Sequence, residues 1–255
     1  TISISNTTGW ITDDDNILAI ITGAVTNESN SVITFNVDLN RPSDQAITVD
    51  YFTTDNTAVD GGDYTNTNGT VANGILSITA KKINDNTERG SYTSTRINTL
   101  GKKSFQYGRI EIRAKLPAGR GIWPAIWMLG NNLSSAGWPA CGEIDIMEHI
   151  GNSLNKIYGT LHYTGRSGGN ADGATTMINN ATTAFHKYTL EWTDVSIKIY
   201  VDDVVFYTFA NKATTPFNQN FFFIFNVAMG GNLGGAIDPA FTSGVMEVDY
   251  VRVYQ

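Results

Sequence analysis

The strongest constraint on this chain is a two-residue rhythm. Ile33, Phe35, Val37 and Leu39 alternate with Thr34, Asn36 and Asp38. Ile110, Ile112, Ala114 and Leu116 alternate with Arg109, Glu111, Arg113 and Lys115. Tyr188, Leu190 and Trp192 alternate with Lys187, Thr189 and Glu191. Successive side chains on a β-strand point to opposite faces, so each run predicts a strand with one buried face. Ile47, Val49 and Tyr51 repeat the pattern, and Ile197, Ile199 and Val201 lead into Asp202-Asp203, a pair suited to a two-residue hairpin turn. Phe221 to Phe225 is apolar throughout and fits a strand covered on both faces. Gly-rich breaks at 118–121, 165–173 and 230–235 separate the runs, and no segment has a helical period. The expected fold is therefore all-β: a sandwich or barrel of antiparallel sheets, whose concave face would give a groove with aromatic platforms.

At 255 residues the chain can form one large β domain or two small ones, and 41% apolar residues supply a sizeable core. No run approaches the roughly 18 apolar residues of a membrane-spanning helix. Composition shifts near residue 70. Residues 1–70 are rich in Asp, Asn and Thr and hold only Trp10, whereas 71–255 carry the other four Trp and all the candidate chemistry. The chain opens in polar, β-like sequence with no signal peptide. A single cysteine, Cys141, excludes an intramolecular disulfide, and with no His at a recognisable partner position it reads as a small buried thiol. Three His and one Cys argue against a zinc site. A net charge of −7 with few Lys/Arg clusters argues against nucleic-acid binding. Low charge with many Asn, Thr, Gly and aromatic residues suits a secreted or cell-surface protein that handles neutral sugars.

The stretch Glu143-Ile-Asp145-Ile-Met-Glu148 sets three carboxylates in an apolar segment, just after Trp123, Trp127 and Trp138. On a regular strand Glu143 and Asp145 share a face, while Glu148, five residues on from Glu143, points into the apolar layer at a cost of several kcal/mol. One extra residue at Ile146-Met147 corrects the parity, so the spacing predicts a β-bulge there. The three acids then line one face. Their outer Cα atoms lie roughly 13 Å apart along the strand, and two inward-leaning Glu arms can close to the ~5–5.5 Å of a retaining glycosidase. In such chemistry one Glu is ionised as nucleophile and the other protonated as acid. The like charge of Asp145 raises the proton affinity of the group, which titrates as a coupled unit. A calcium site or a solvated acidic strand is the competing reading. The forced bulge and the neighbouring tryptophans weigh against it.

Further motifs run in order along the chain: Asn73-Gly-Ile-Leu-Ser-Ile-Thr-Ala80, Tyr92-Thr-Ser-Thr-Arg96-Ile97, Phe105-Gln-Tyr-Gly-Arg109-Ile-Glu-Ile-Arg-Ala-Lys-Leu-Pro117, Gly121-Ile-Trp123-Pro-Ala-Ile-Trp127-Met-Leu-Gly130, Gly142-Glu-Ile-Asp-Ile-Met-Glu-His-Ile-Gly151, Gly159-Thr-Leu-His162-Tyr163 and Val248-Asp249-Tyr-Val-Arg-Val-Tyr254. Through these, residues 73–255 resemble glycoside hydrolase family 16, in its laminarinase (endo-β-1,3-glucanase) branch. The resemblance implies a β-jelly-roll sandwich of two antiparallel sheets that hydrolyses β-glucan polysaccharide or oligosaccharide with retention, as a monomer, with no cofactor for catalysis. It implies Glu143 as nucleophile, Asp145 as its electrostatic helper and Glu148 as general acid/base. Trp123 and Trp127 would flank the cleavage point; Arg96, Trp138 and His162 would be secondary sugar contacts. The extra residue before Glu148 resembles laminarinases more than lichenases, and Met147 with His149-Ile-Gly resembles them more than agarases or carrageenases.

Ordinary alternatives stand beside these roles. Trp123 and Trp127 can be core aromatics, His162 a structural histidine and Arg96 a surface residue. Asn226 either bonds backbone at a bulge or faces the groove. The resemblance also implies a structural calcium, for which Asp249 is the candidate ligand, although the family's usual N-terminal partners are not visible. Residues 32–70 instead resemble part of a Calx-β module, in Val32-Ile-Thr-Phe-Asn-Val-Asp-Leu, Ile47-Thr-Val-Asp-Tyr and Thr57-Ala-Val-Asp-Gly-Gly-Asp-Tyr. The expected division is thus an N-terminal segment, 1–70, and a catalytic domain, 71–255. The segment is either a truncated β module or the supplier of strands that complete the sandwich. Asp13-Asp14-Asp15, Asp60 and Asp63 are either calcium ligands in the Calx-β manner or, the favoured reading, solvated loop acids.

Overall fold

The structure is a computed structural model that describes residues 68–83 and 92–255, together with the strand backbone of 19–22 and 36–39. The expectations placed on Asp13–Asp15, Ile47–Tyr51, Asp60 and Asp63 lie outside the described residues. Contacts divide the chain into Thr1–Thr67 and Asn68–Gln255. In the first unit β1 (Ala19–Thr22) pairs with β2 (Asn36–Leu39).

The second unit is two antiparallel sheets packed face to face, the jelly-roll sandwich. One contains β6 (Arg96–Asn98), β8 (Ile122–Gly130), β9 (Glu143–His149), β10 (Lys156–His162), β11 (Asp172–Met177) and β15 (Phe221–Met229), in the order β11-β10-β9-β8-β15-β6. The other contains β3 (Gly69–Ala72), β4 (Ile75–Lys82), β7 (Gly108–Lys115), β12 (His186–Trp192), β13 (Ser196–Val201), β14 (Val204–Ala210) and β16 (Ser243–Tyr254), in the order β14-β13-β12-β7-β16-β4-β3. The short β5 (Tyr92–Thr93) pairs with β4. Among the described residues, helix is confined to single turns, α1 (Leu133–Ala136) and α2 (Gly231–Gly234), and a three-residue 3₁₀ turn at Gly168–Asn170. Among the described residues no helix is long and apolar enough to cross a membrane.

The alternating runs of β7, β12 and β13 land as read. Ile110, Ile112 and Ala114 of β7 and Tyr188, Leu190 and Trp192 of β12 are fully buried between the sheets. Asp202 and Asp203 both take positive φ, at 49° and 67°, and join Val201 to Val204 in a tight hairpin of the mirror-image kind that matches strand twist. The all-apolar β15 is covered twice. Phe221, Phe223 and Phe225 enter the main core. Phe222 and Ile224 pack in a small second cluster with Leu129, Cys141, Trp127 and Leu133 on the opposite face. Cys141 is a buried free thiol. Burying a side chain the size of Phe or Ile stabilises by about 1.5–3 kcal/mol, so both faces of this strand hold the six-stranded sheet in place.

Candidate active site

The bulge is present where parity demanded it. On one side β9 pairs with β8 as Asp145↔Trp127 and then Met147↔Ile126 and Glu148↔Ala125, so the register shifts at Ile146. On the other side β9 pairs with β10 as Asp145↔Thr160 and Glu148↔Tyr158, leaving Gly159 opposite the extra residue. Ile144, Ile146 and Met147 are fully buried in the core, and Glu143, Asp145 and Glu148 line the other face. Gly159 suits that place: a Cβ there would come within 2.9 Å of both Ile199 Cδ1 and the Phe206 ring. Upstream, Gly142 turns the chain into β9 at φ 80°, where a Cβ would stand 2.9 Å from Phe221.

The acids sit in a cleft of about 430 Å³ walled by β8, β9, β15 and the segment 94–96. Each Glu is held by its own tryptophan. Trp138 Nε1 donates to Glu143 Oε2 at 2.8 Å, and Trp123 Nε1 donates to Glu148 Oε1 at 3.0 Å. The Thr160 hydroxyl donates to Glu148 Oε2 at 3.4 Å. Trp123 and Trp127 share the cleft face, as strand periodicity requires. Trp127 is locked from two sides: its Nε1 donates to Asn226 Oδ1 at 2.7 Å, and the Arg96 guanidinium lies 4.6 Å from the ring centroid. Asn226 thus faces the groove and bonds a side chain there. Trp138 is half exposed at the Glu143 end. His162, at the end of β10, places Nε2 3.2 Å from Asp145 Oδ2 and 3.7 Å from Glu143 Oε1, and its Nδ1 accepts the Gly168 N–H at 3.1 Å.

Burial dominates the electrostatics. Glu143 is pushed up to about 8, first by desolvation and then by the charge of Asp145, against the opposing pull of His162 and the Trp138 hydrogen bond. Asp145, the most enclosed of the three, is raised well above the usual carboxylate range by burial and by Glu148. Glu148 is raised by burial and drawn back by the Trp123 N–H. Such a group retains protons at neutral pH and shares them.

Thr160 and Gly168 escaped the sequence reading. Thr160 stands two residues before His162 on the same strand face, a signal that alternation carries. Gly168 reaches His162 through a loop, and no local pattern marks it. Asp249, the calcium candidate, has its carboxylate in an ion pair with Arg113. Among the described residues, the one group of three or more side chains with metal-ligand atoms in reach is Glu143, Asp145 and His162, within 4.8 Å of one another.

A jelly-roll sandwich with a tryptophan-walled cleft and a carboxylate trio on its floor is the architecture of a carbohydrate-active enzyme. The chain belongs to glycosyl hydrolases family 16, whose family model matches residues 56–252. That match begins ahead of the boundary expected near residue 71. The "Beta-glucanase" of Rhodothermus marinus is 43% identical over 203 residues, covering 74% of this chain and 70% of that protein. The crystal structure of a laminarinase from Flavobacterium sp. UMI-01 is 47% identical with a TM-score of 0.70, covering 75% of this chain and 84% of the other. A Zobellia galactanivorans variant solved with laminaritriose and laminaritetraose is 41% identical with a TM-score of 0.67, covering 74% and 81%. The chain spans less than half the length of several other curated relatives.

Proposed function

We propose that the chain hydrolyses internal β-1,3 bonds of glucans such as laminarin with retention of configuration, through a covalent glycosyl-enzyme intermediate. The bulge at Ile146–Met147 carries the reading, because it turns three acids of mismatched parity into one row on the cleft floor. A binding module has no need of two glutamates each tethered by an indole.

The chemistry is carried by the side chains themselves. Glu148, its proton affinity raised by burial, gives its proton to the departing glycosidic oxygen. Glu143 attacks the anomeric carbon, and for that it must be ionised. The proton retained by the Glu143–Asp145 pair therefore belongs on Asp145, which is the more buried and lies within hydrogen-bonding reach of Glu143. The Trp138 N–H then stabilises the Glu143 carboxylate. In the second half-reaction Glu148, now a carboxylate, takes a proton from the water that releases the sugar. Trp123 and the exposed Trp138 supply faces for sugar rings. Arg96, Trp127, Asn226 and His162 complete the groove. One chain supplies every named residue of this site, which supports action as a monomer, and a polymeric substrate supports a secreted or cell-surface location.

The test is reducing-sugar release. Glu143→Gln and Glu148→Gln should each lower the rate on laminarin by roughly 10²–10⁴-fold, with binding of the polymer retained. Wild-type rates in either variant would sink the role assignment. Activity on agarose or carrageenan in place of laminarin and lichenan would overturn the substrate.

A further inference from the structure

We infer that His162 is a positioning residue for the catalytic carboxylates, and that the backbone N–H of Gly168 fixes the imidazole tautomer this requires. The inference rests on the glucanase reading above. A backbone N–H only donates, so His162 Nδ1, 3.1 Å from Gly168 N, is an acceptor without a proton. The ring hydrogen of the neutral imidazole is then on Nε2, on the side of the carboxylates. Asp145 Oδ2 is buried and has no aligned hydrogen bond among the described residues, and His162 Nε2 stands 3.2 Å from it. Contacts of this kind are often loose before substrate closes the site. An N–H on Oδ2 keeps that oxygen an acceptor, and it leaves the second Asp145 oxygen for the proton shared with Glu143. The histidine thus decides on which edge of Asp145 the proton resides, and so whether Glu143 is free to attack.

The tautomer also answers the metal question raised by the same three side chains. Nε2–H has no lone pair for a cation. A metal there would need the hydrogen on Nδ1, directed at the Gly168 N–H. The loop that carries Gly168 runs from Tyr163 and is tied back by Tyr163 N–Arg166 O and Arg166 N–Tyr163 O hydrogen bonds and by the Arg166–Asp172 ion pair. These bonds anchor the amide opposite the ring.

The first test is the ¹⁵N spectrum of the intact protein labelled at histidine. The chain has three histidines, and His162→Gln identifies the signal. The expected result is a protonated Nε2 and a bare Nδ1 at neutral pH, with the Nε2 resonance moving in Asp145→Asn. A protonated Nδ1, or a resonance indifferent to Asp145→Asn, overturns the inference whatever polymer the enzyme cuts. The second test is kinetic. Gln places a donor at the ε position, whereas Asn reaches only the δ position. His162→Asn should lower kcat by up to about tenfold, the effect of losing one hydrogen bond, and displace the pH profile. His162→Gln should recover most of that loss. If both variants raise KM alone by the same factor, His162 is a sugar contact and the positioning role falls. Absence of any β-1,3-glucan hydrolysis by the wild type would remove the functional reading, while the spectrum would still decide the tautomer.

Discussion

At the scale of single residues, the site works by enclosing charge and then returning a measured number of donors to it. Glu148 shows the balance: burial lifts its proton affinity, and the Trp123 N–H draws it back. Trp123→Phe keeps a ring and removes that N–H. The acid form of Glu148 should then persist to higher pH, shifting the alkaline limb of the kcat profile upward by about one unit, the equivalent of one charge-assisted hydrogen bond. A limb that stays put, measured on laminarin across pH 5–9, would show that the indole does not govern the acid. The acids and tryptophans were legible in the sequence because alternation sorts residues to faces. Their cross-strand partners were not. Thr160 meets Glu148, and Asn226 meets Trp127, only once register is fixed. Register between strands far apart in sequence depends on the packing of the whole sheet.

At the scale of elements, β9 is the part on which the active site depends. The strands with one buried face (β7, β12 and β13) could be read directly, and so could the doubly covered β15. Sheet order could not: β8 lies between β9 and β15, and β16 between β7 and β4, pairings set by long-range closure. Short strands such as β5 and β6 and the four-residue helices α1 and α2 are below the length at which periodicity speaks. The bulge was legible because charge and parity conflicted. It also makes two one-residue deletions behave oppositely. Removing Met147 leaves Glu, Asp and Glu at even spacing, matched to Trp127 and Ala125 on β8 without a shift, so the acids stay on the cleft face. That variant should fold, at a cost of about 2–5 kcal/mol for the lost buried side chain, and retain glucanase activity. Removing Ile144 inverts Glu143 against Asp145 and drives one of them toward the core. It should abolish both activity and cooperative unfolding. Thermal melts and laminarin assays of the pair decide the matter. Equal damage from both deletions would mean that the bulge is not what aligns the acids.

At the scale of the whole molecule, the catalytic cluster and one buried histidine pull stability in opposite directions with pH. His149 is fully buried on the core side of β9, with neither ring nitrogen hydrogen-bonded among the described residues, and burial depresses it to about 4. Unfolded histidine takes up its proton near 6.5. Between about pH 4 and 6.5 the unfolded chain therefore binds the extra proton, and this residue makes stability rise with pH. Glu143 does the reverse. Its folded value near 8 lies above the unfolded 4.5, so from about pH 4.5 to 8 the folded chain holds the extra proton and stability falls as pH rises. Asp145 and Glu148 are raised too and add to that fall. The two slopes oppose each other up to about pH 6.5, and above it only the carboxylate slope remains. Stability should thus decline from about pH 6.5 toward pH 8. Glu143→Gln removes this raised carboxylate from the cluster. It should be more stable than the wild type by on the order of 3–5 kcal/mol at about pH 8, with the advantage shrinking as pH falls and vanishing below about pH 4.5, where Glu143 becomes protonated in both states. Urea midpoints at pH 5 and 8 test this. The same gain at both values would mean that the substitution improves packing and that the cluster does not hold its protons. A gain confined to pH 8 would show that the fold carries the destabilising charge as a condition of keeping one glutamate ionised and the other protonated in a single buried row.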